Sequence, residues 1–208
     1  MRLPRSCCLC GAALDEGVLM CAPCQSGVTP QRGSAIGVRP QCVDEWCAPY
    51  DYVYPVDVLI RRLKYHGALY LAAPLSYELA RHCKDSGVDG IVAIPQSTTA
   101  WRRRGYNPAL EIARRVARAV GRPLWAQGLR RTRDARVQAG LGRVARQRNV
   151  GDLFACNMNV QGLWVAVVDD VSTSGATLGA AATILKEQGA RRVSAWVLAH
   201  TPAPDESI

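Results

Sequence analysis

A parallel α/β sheet with helices on both faces is the fold class predicted for this chain of 208 residues. Three observations predict it. Short apolar runs at residues 90–95, 163–168 and 193–199 read as strands buried on both faces. Helical patterns separate them, and strand–helix alternation is the signature of a parallel sheet. The run 163–168 also leads directly into Asp169, Asp170 and a hydroxyl-rich turn ending at Gly175. Ligands on such sheets bind beyond the carboxyl ends of the strands, where turns of this kind lie.

Before the sheet come residues 1–26, which carry five of the nine cysteines by Cys24. Cys7 and Cys10 form one C-x2-C knuckle, and Cys21 and Cys24 form another. Gly11 follows the first pair, where a knuckle turn needs freedom in φ. Four thiolates fit a closed tetrahedral Zn²⁺ site, and the metal would supply most of the folding energy of so short a segment. A thioredoxin-type redox pair is the other reading of one knuckle alone, but no βαβ pattern surrounds either. Cys8 reads as a spectator. Cys42 and Cys47 read as free thiols or half of a second metal site, and Cys83 and Cys156 as ordinary small residues.

Residues 27–48 read as a linker, and 49–208 as the α/β domain. A strand is expected at 51–54. A helix follows from Pro55 to about Tyr65, with Val56, Leu59, Ile60 and Leu63 on one face and His66-Gly67 at its end. A second helix is expected over 71–83. Residues 96–105 read as a loop carrying Arg102, Arg103 and Arg104. Asn107 is a good N-cap and Pro108 a good first residue for a helix to Val120, with a stripe of Leu110, Ala113, Ala117 and Val120. A short strand is expected at 123–126, a flexible loop with a short helix at 128–150, and a helix at 175–188 stopped by Gly189.

The formal net charge is +9, and residues 101–148 hold 14 arginines against only Glu111 and Asp134. Such a field suits a polyanion, either pyrophosphate or nucleic acid; solubility alone is the plain alternative. No apolar run approaches the roughly 18 residues of a membrane span, and cysteines follow the basic N-terminus, so no membrane insertion and a cytoplasmic location are expected.

The turn after the central strand carries the sharpest chemistry. Ser172 to Thr177 offers hydroxyls, backbone N–H groups and a helix N-terminus, all favourable to phosphate. Two carboxylates beside such a cradle suit a sugar phosphate, with the acids on ribose hydroxyls. A solvated strand end or an N-cap pair is the alternative for an isolated Asp-Asp.

The run Val167-Val-Asp-Asp-Val-Ser-Thr-Ser-Gly175 resembles the phosphoribosyl pyrophosphate (PRPP) signature of type I phosphoribosyltransferases. Together with the two knuckles, Leu63-Lys-Tyr65 with Gly67, Arg104-Gly-Tyr-Asn107, Leu129-Arg-Arg-Thr with Gln138, and Arg148-Asn149 before Phe154, the chain resembles the ComF family. These are competence-associated proteins similar to type I phosphoribosyltransferases. Ser174 stands where that family usually has a second threonine, and Pro108 where it usually has glutamine.

The resemblance implies a type I phosphoribosyltransferase-like fold, PRPP and Mg²⁺ as ligands, and a role in DNA uptake and natural transformation. It implies Asp169 and Asp170 on the ribose, and Thr173, Ser174, Gly175, Ala176 and Thr177 around the 5′-phosphate. Lys64 and Arg104 are candidates for the pyrophosphate, although a lysine near a helix C-terminus is favourable with no ligand, and Arg104 can equally cap a helix or lie exposed. Arg131, Arg133 and Arg148 suit a flap closing over the site. No histidine presents itself as a base. Three functional readings stay open: a phosphoribosyltransferase of unidentified acceptor, a non-catalytic protein gripping single-stranded DNA with PRPP as a ligand, and a knuckle-based factor docking competence proteins.

Overall fold

The computed structural model describes residues 5–15, 20–28, 40–132 and 153–202. Chain order gives α1 (Ala22–Ser26), β1 (Glu45–Cys47), β2 (Tyr50–Asp51), α2 (Val56–Tyr65), a 3-10 turn (Leu69–Leu71) and α3 (Ala72–Cys83). Then come β3 (Gly90–Ala93), α4 (Thr98–Arg104), α5 (Pro108–Val120), β4 (Leu129–Arg131) and β5 (Phe154–Cys156). The chain closes with β6 (Trp164–Ser172), α6 (Ala176–Glu187) and β7 (Arg192–His200).

The main sheet is parallel throughout, ordered β1-β7-β6-β3, with β2 also pairing to β7. The expected fold class, a parallel sheet with flanking helices, is the one observed. Its centre is apolar on both faces because β6 supplies side chains to both. Val165 and Val167 join one core with Leu178 and Leu185 of α6, and Ala166 and Val168 join the other with Leu59, Leu63, Ile112 and Val116 of α2 and α5. Thus α5, which follows β3 and α4, and α6, which follows β6, lie on opposite faces. The turns leaving these neighbouring strands diverge, which opens a crevice at their carboxyl ends.

Several expected elements are corrected. Residues 96–105 are not a loop throughout: Ser97 Oγ accepts the Ala100 N–H at 3.1 Å and starts α4, and Gly105 ends it at φ 74°. Asp169 and Asp170 do not follow the strand but lie within β6, which keeps its ladder with β7 to Ser172. The span read as a linker ends in the sheet, since β1 pairs with β7 and Asp44 accepts the Val193 N–H at 2.6 Å. Residues 123–126 make only one bridge, Ile91 to Leu124. The buried stripe of α5 is Ala109, Ile112, Ala113, Val116 and Ala117, so Leu110 and Val120 stand at its margin. Leu129–Arg131, read as part of a loop, is a strand antiparallel to β5. The expected short helix, Arg133, Gln138 and Arg148 lie outside the described residues.

Other expectations hold in place. Asn107 caps α5 by accepting the Ala109 N–H at 3.1 Å, with Pro108 first in the helix. Cys8 is buried in the core beside α2, and Arg62 donates to its carbonyl oxygen, which ties the cysteine-rich segment to that helix. Among the described residues, no helix is long and apolar enough to cross a membrane.

Candidate functional site

The site grows from the way β6 ends. Four buried residues, Val165 to Val168, fix the strand in the core, and the next two are carboxylates. Each carboxylate folds back on the backbone: Asp169 Oδ1 accepts the Asp170 N–H at 2.8 Å, and Asp170 Oδ1 accepts the Val171 N–H at 2.7 Å. Asp170 is 8% exposed, which requires a compensating partner. Lys64 supplies it from the last turn of α2, its Nζ 2.7 Å from Asp170 Oδ1.

Electrostatics separates the two acids. Burial, and then the neighbouring charge of Asp170, push the Asp169 carboxyl up to about 8. Burial alone would lower the Lys64 ammonium. The charge of Asp170, its hydrogen bond and the charge of Asp169 outweigh that and hold the ammonium above its usual value. Two carboxylates, one ammonium and one retained proton make a nearly neutral cluster in the crevice.

Asp169 also lines a small cavity of about 40 Å³ with Ser172, Thr173, Ser174, Gly175, Ala176 and Thr177. Gly175 has φ 71°, a left-handed conformation that glycine adopts without strain. It lets the chain turn from the end of β6 straight into α6. No side chain caps Gly175's end of the helix, though Ser174 Oγ accepts the Ala176 N–H at 3.4 Å. First-turn N–H groups and four hydroxyl-bearing residues thus line one concavity, an arrangement that binds an anion.

A second cavity has a volume of about 320 Å³. It is lined by Lys64, Tyr65, Gly67, Arg103, Arg104 and Tyr106. Arg104 lies over the Tyr65 ring at 4.8 Å and Arg103 at 5.6 Å, and the Tyr106 hydroxyl donates to the Leu63 carbonyl. Among the described residues no acid lines this cavity, so its cations face an anion-sized space. The structure therefore brings Lys64, Arg104, the two aspartates and the 173–177 turn to one edge of the sheet. Arg131 lies elsewhere, at the end of β4, over the Phe154 ring at 5.7 Å.

The four knuckle cysteines converge as well. The sulfurs of Cys7, Cys10, Cys21 and Cys24 all lie within 4.8 Å of one another. A tetrahedral thiolate site with metal–sulfur bonds of about 2.3 Å has sulfur–sulfur edges of about 3.8 Å, and Cys10 to Cys21 is 3.7 Å. The donor set fits a soft tetrahedral ion such as Zn²⁺. Backbone N–H donation from Cys10 lowers the Cys7 thiol to about 6 against the opposing effect of burial. Neither Cys42 nor Cys47 joins this cluster: Cys42 Sγ accepts from Thr183 Oγ1 at 3.2 Å, and the Cys47 thiol pairs with that of Cys83.

No protein-family model matches the chain. Curated relatives do. DNA utilization protein YhgH of Salmonella typhi is 28% identical over 204 residues, covering 94% of this chain and 90% of that protein. Its counterpart in Escherichia coli O157:H7 is 30% identical over 158 residues, covering 73% of this chain and 70% of that protein. Competence protein F of Haemophilus influenzae is 27% identical over 158 residues, covering 71% and 69%.

The chain belongs to the ComF family.

Among solved structures, this ComF-family chain is similar to purine phosphoribosyltransferase from Pyrococcus horikoshii Ot3 (TM-score 0.43, 20% identity, 66% of this chain and 76% of that one). It is also similar to the glutamine PRPP amidotransferase from B. subtilis complexed with ADP and GMP (TM-score 0.45, 20% identity, 67% and 30%). Two features of the ComF-family site escaped sequence reasoning. One is the Lys64–Asp170 ion pair, which joins residues far apart in the chain and leaves no local pattern. The other is the Tyr65 platform under Arg103 and Arg104. Its only signal was the helical spacing of 98–104 between a serine and a glycine.

Proposed function

We propose that this chain binds PRPP together with Mg²⁺ at the carboxyl edge of β6 and acts in the uptake or use of DNA, as the names of its relatives suggest. One observation carries the ligand reading: Asp169 and the 172–177 turn line the same cavity at the start of a 12-residue helix. In this reading Thr173 to Thr177 hold the 5′-phosphate through N–H groups and hydroxyls. Asp169 and Asp170 hold the ribose hydroxyls, directly or through the metal. Lys64, Arg104 and Arg103 face the pyrophosphate from the second cavity, where their positive charge offsets charge building on the leaving group. Mg²⁺ prefers hard oxygen donors, which the two carboxylates supply, and neutralises pyrophosphate charge when bound. Zn²⁺ in the four-cysteine cluster is structural in this reading, holding the knuckle segment against α2.

Titration calorimetry of the full chain with PRPP and Mg²⁺ tests it. The expected result is saturable binding that weakens at least tenfold in Asp169→Asn/Asp170→Asn, about 1.4 kcal/mol or more. Equal affinity in the double variant overturns the assignment. Pyrophosphate release on addition of candidate bases then separates turnover from binding alone.

A further inference from the structure

A cavity of about 450 Å³ lies between α4, the start of α5 and β4. It includes none of the residues assigned above to PRPP. Its walls are chemically lopsided. Trp101, 52% exposed, presents an indole, while Leu110 and Leu129 add apolar surface. Arg130 and Arg131 supply two guanidinium groups, and among the described residues no acid lines the cavity. Arg131 is held there by its Nη1, 3.5 Å from the Pro95 carbonyl oxygen. Gln127 and Asn157 offer side-chain amides, which both donate and accept.

A ligand matching these walls is flat and aromatic at one end and anionic at the other. That is a nucleotide. The volume falls within the roughly 300–1,000 Å³ typical of small-ligand sites. Arg102, exposed on α4 next to Trp101, extends positive charge past the cavity, where a further phosphate of a strand would meet it. Single-strand sites combine these two elements, a stacking aromatic and a basic track.

We infer that this cavity holds one nucleotide of single-stranded DNA, its base against Trp101 and its phosphate beside Arg130 and Arg131. The inference rests on the DNA half of the proposed function and is independent of the PRPP half.

The test is fluorescence anisotropy of a labelled 20-nucleotide oligo(dT) with the full chain, in parent, Trp101→Ala and Arg130→Ala forms whose melting temperatures are checked. Base stacking is worth about 1–3 kcal/mol, so Trp101→Ala is expected to weaken binding about tenfold. Arg130→Ala should flatten the slope of log K against log salt by about 0.7, the loss of one single-strand phosphate contact. PRPP calorimetry on both variants should match the parent. If the parent binds the oligonucleotide and neither variant differs, the cavity is overturned and DNA binding stands. If the parent does not bind at low salt, the DNA half of the proposed function falls as well. If free dTMP competes as well as the oligonucleotide on a molar basis, the strand assignment is overturned in favour of a free nucleotide.

Discussion

Lys64 Nζ stands 2.7 Å from Asp170 Oδ1, with both side chains mostly buried, and this pair joins α2 to the end of the central strand. The contact spans 106 positions of sequence. It compensates a buried carboxylate and holds an ammonium in the lining of the second cavity.

Removing one partner of such a pair leaves the other charge uncompensated, at a cost of about 3 kcal/mol. Lys64→Met is therefore expected to lower the melting temperature clearly, and Lys64→Met/Asp170→Asn to recover part of the loss. Chemical denaturation of the parent, the two single variants and the double variant measures the coupling. Additive effects would show that the pair is not coupled in solution.

Asp169 gives stability a pH dependence of definite sign. Its carboxyl is pushed up to about 8 in the folded chain from an ordinary value of 3.8. The folded state keeps a proton that the unfolded state releases. The stability associated with the neutral form is complete below about pH 4 and is lost as pH rises through about 8. Asp169→Asn cannot ionise, so its melting temperature relative to the parent should climb between about pH 5 and pH 8. A difference that stays flat across that interval would contradict the raised carboxyl.

The cysteine cluster predicts one tightly held zinc per chain. A Cys21→Ser/Cys24→Ser variant should contain none by elemental analysis, and Co²⁺ in the parent should give the absorption of a tetrahedral thiolate complex. Arg62 of α2 donates to the Cys8 carbonyl. Chelation should therefore lower the melting temperature of the whole chain, because α2 loses an anchor beside Lys64. Metal-free protein melting at the parental temperature would confine the cluster's role to residues 5–28.

Much of this protein was legible in its order of residues. The strands 90–93, 164–168 and 193–199 announce themselves by unbroken apolar runs, since a strand covered on both faces has no polar side. Helix α5 is marked at both ends, by Asn107-Pro108 and Gly121. The knuckles and the Asp-Asp turn are local motifs whose donors lie a few residues apart, so spacing alone brings them together.

Other features depended on contacts between distant segments. Backbone pairing with β7 carries β6 past Val168, because the ladder outweighs the poor strand propensity of two aspartates. The same partner draws Glu45–Cys47, in a stretch with weak periodicity, into the sheet. The sequence by itself determined the fold class, the cysteine ligand set and the turn that suits a phosphate. Only the tertiary structure decided which cation answers the buried aspartate, which ring underlies Arg104, and that Trp101 and Arg131 line one cavity. Local order records backbone preference and amphipathic period. Partners for buried charges and walls of cavities arise where separate elements pack, and packing selects them without leaving a local pattern in the sequence.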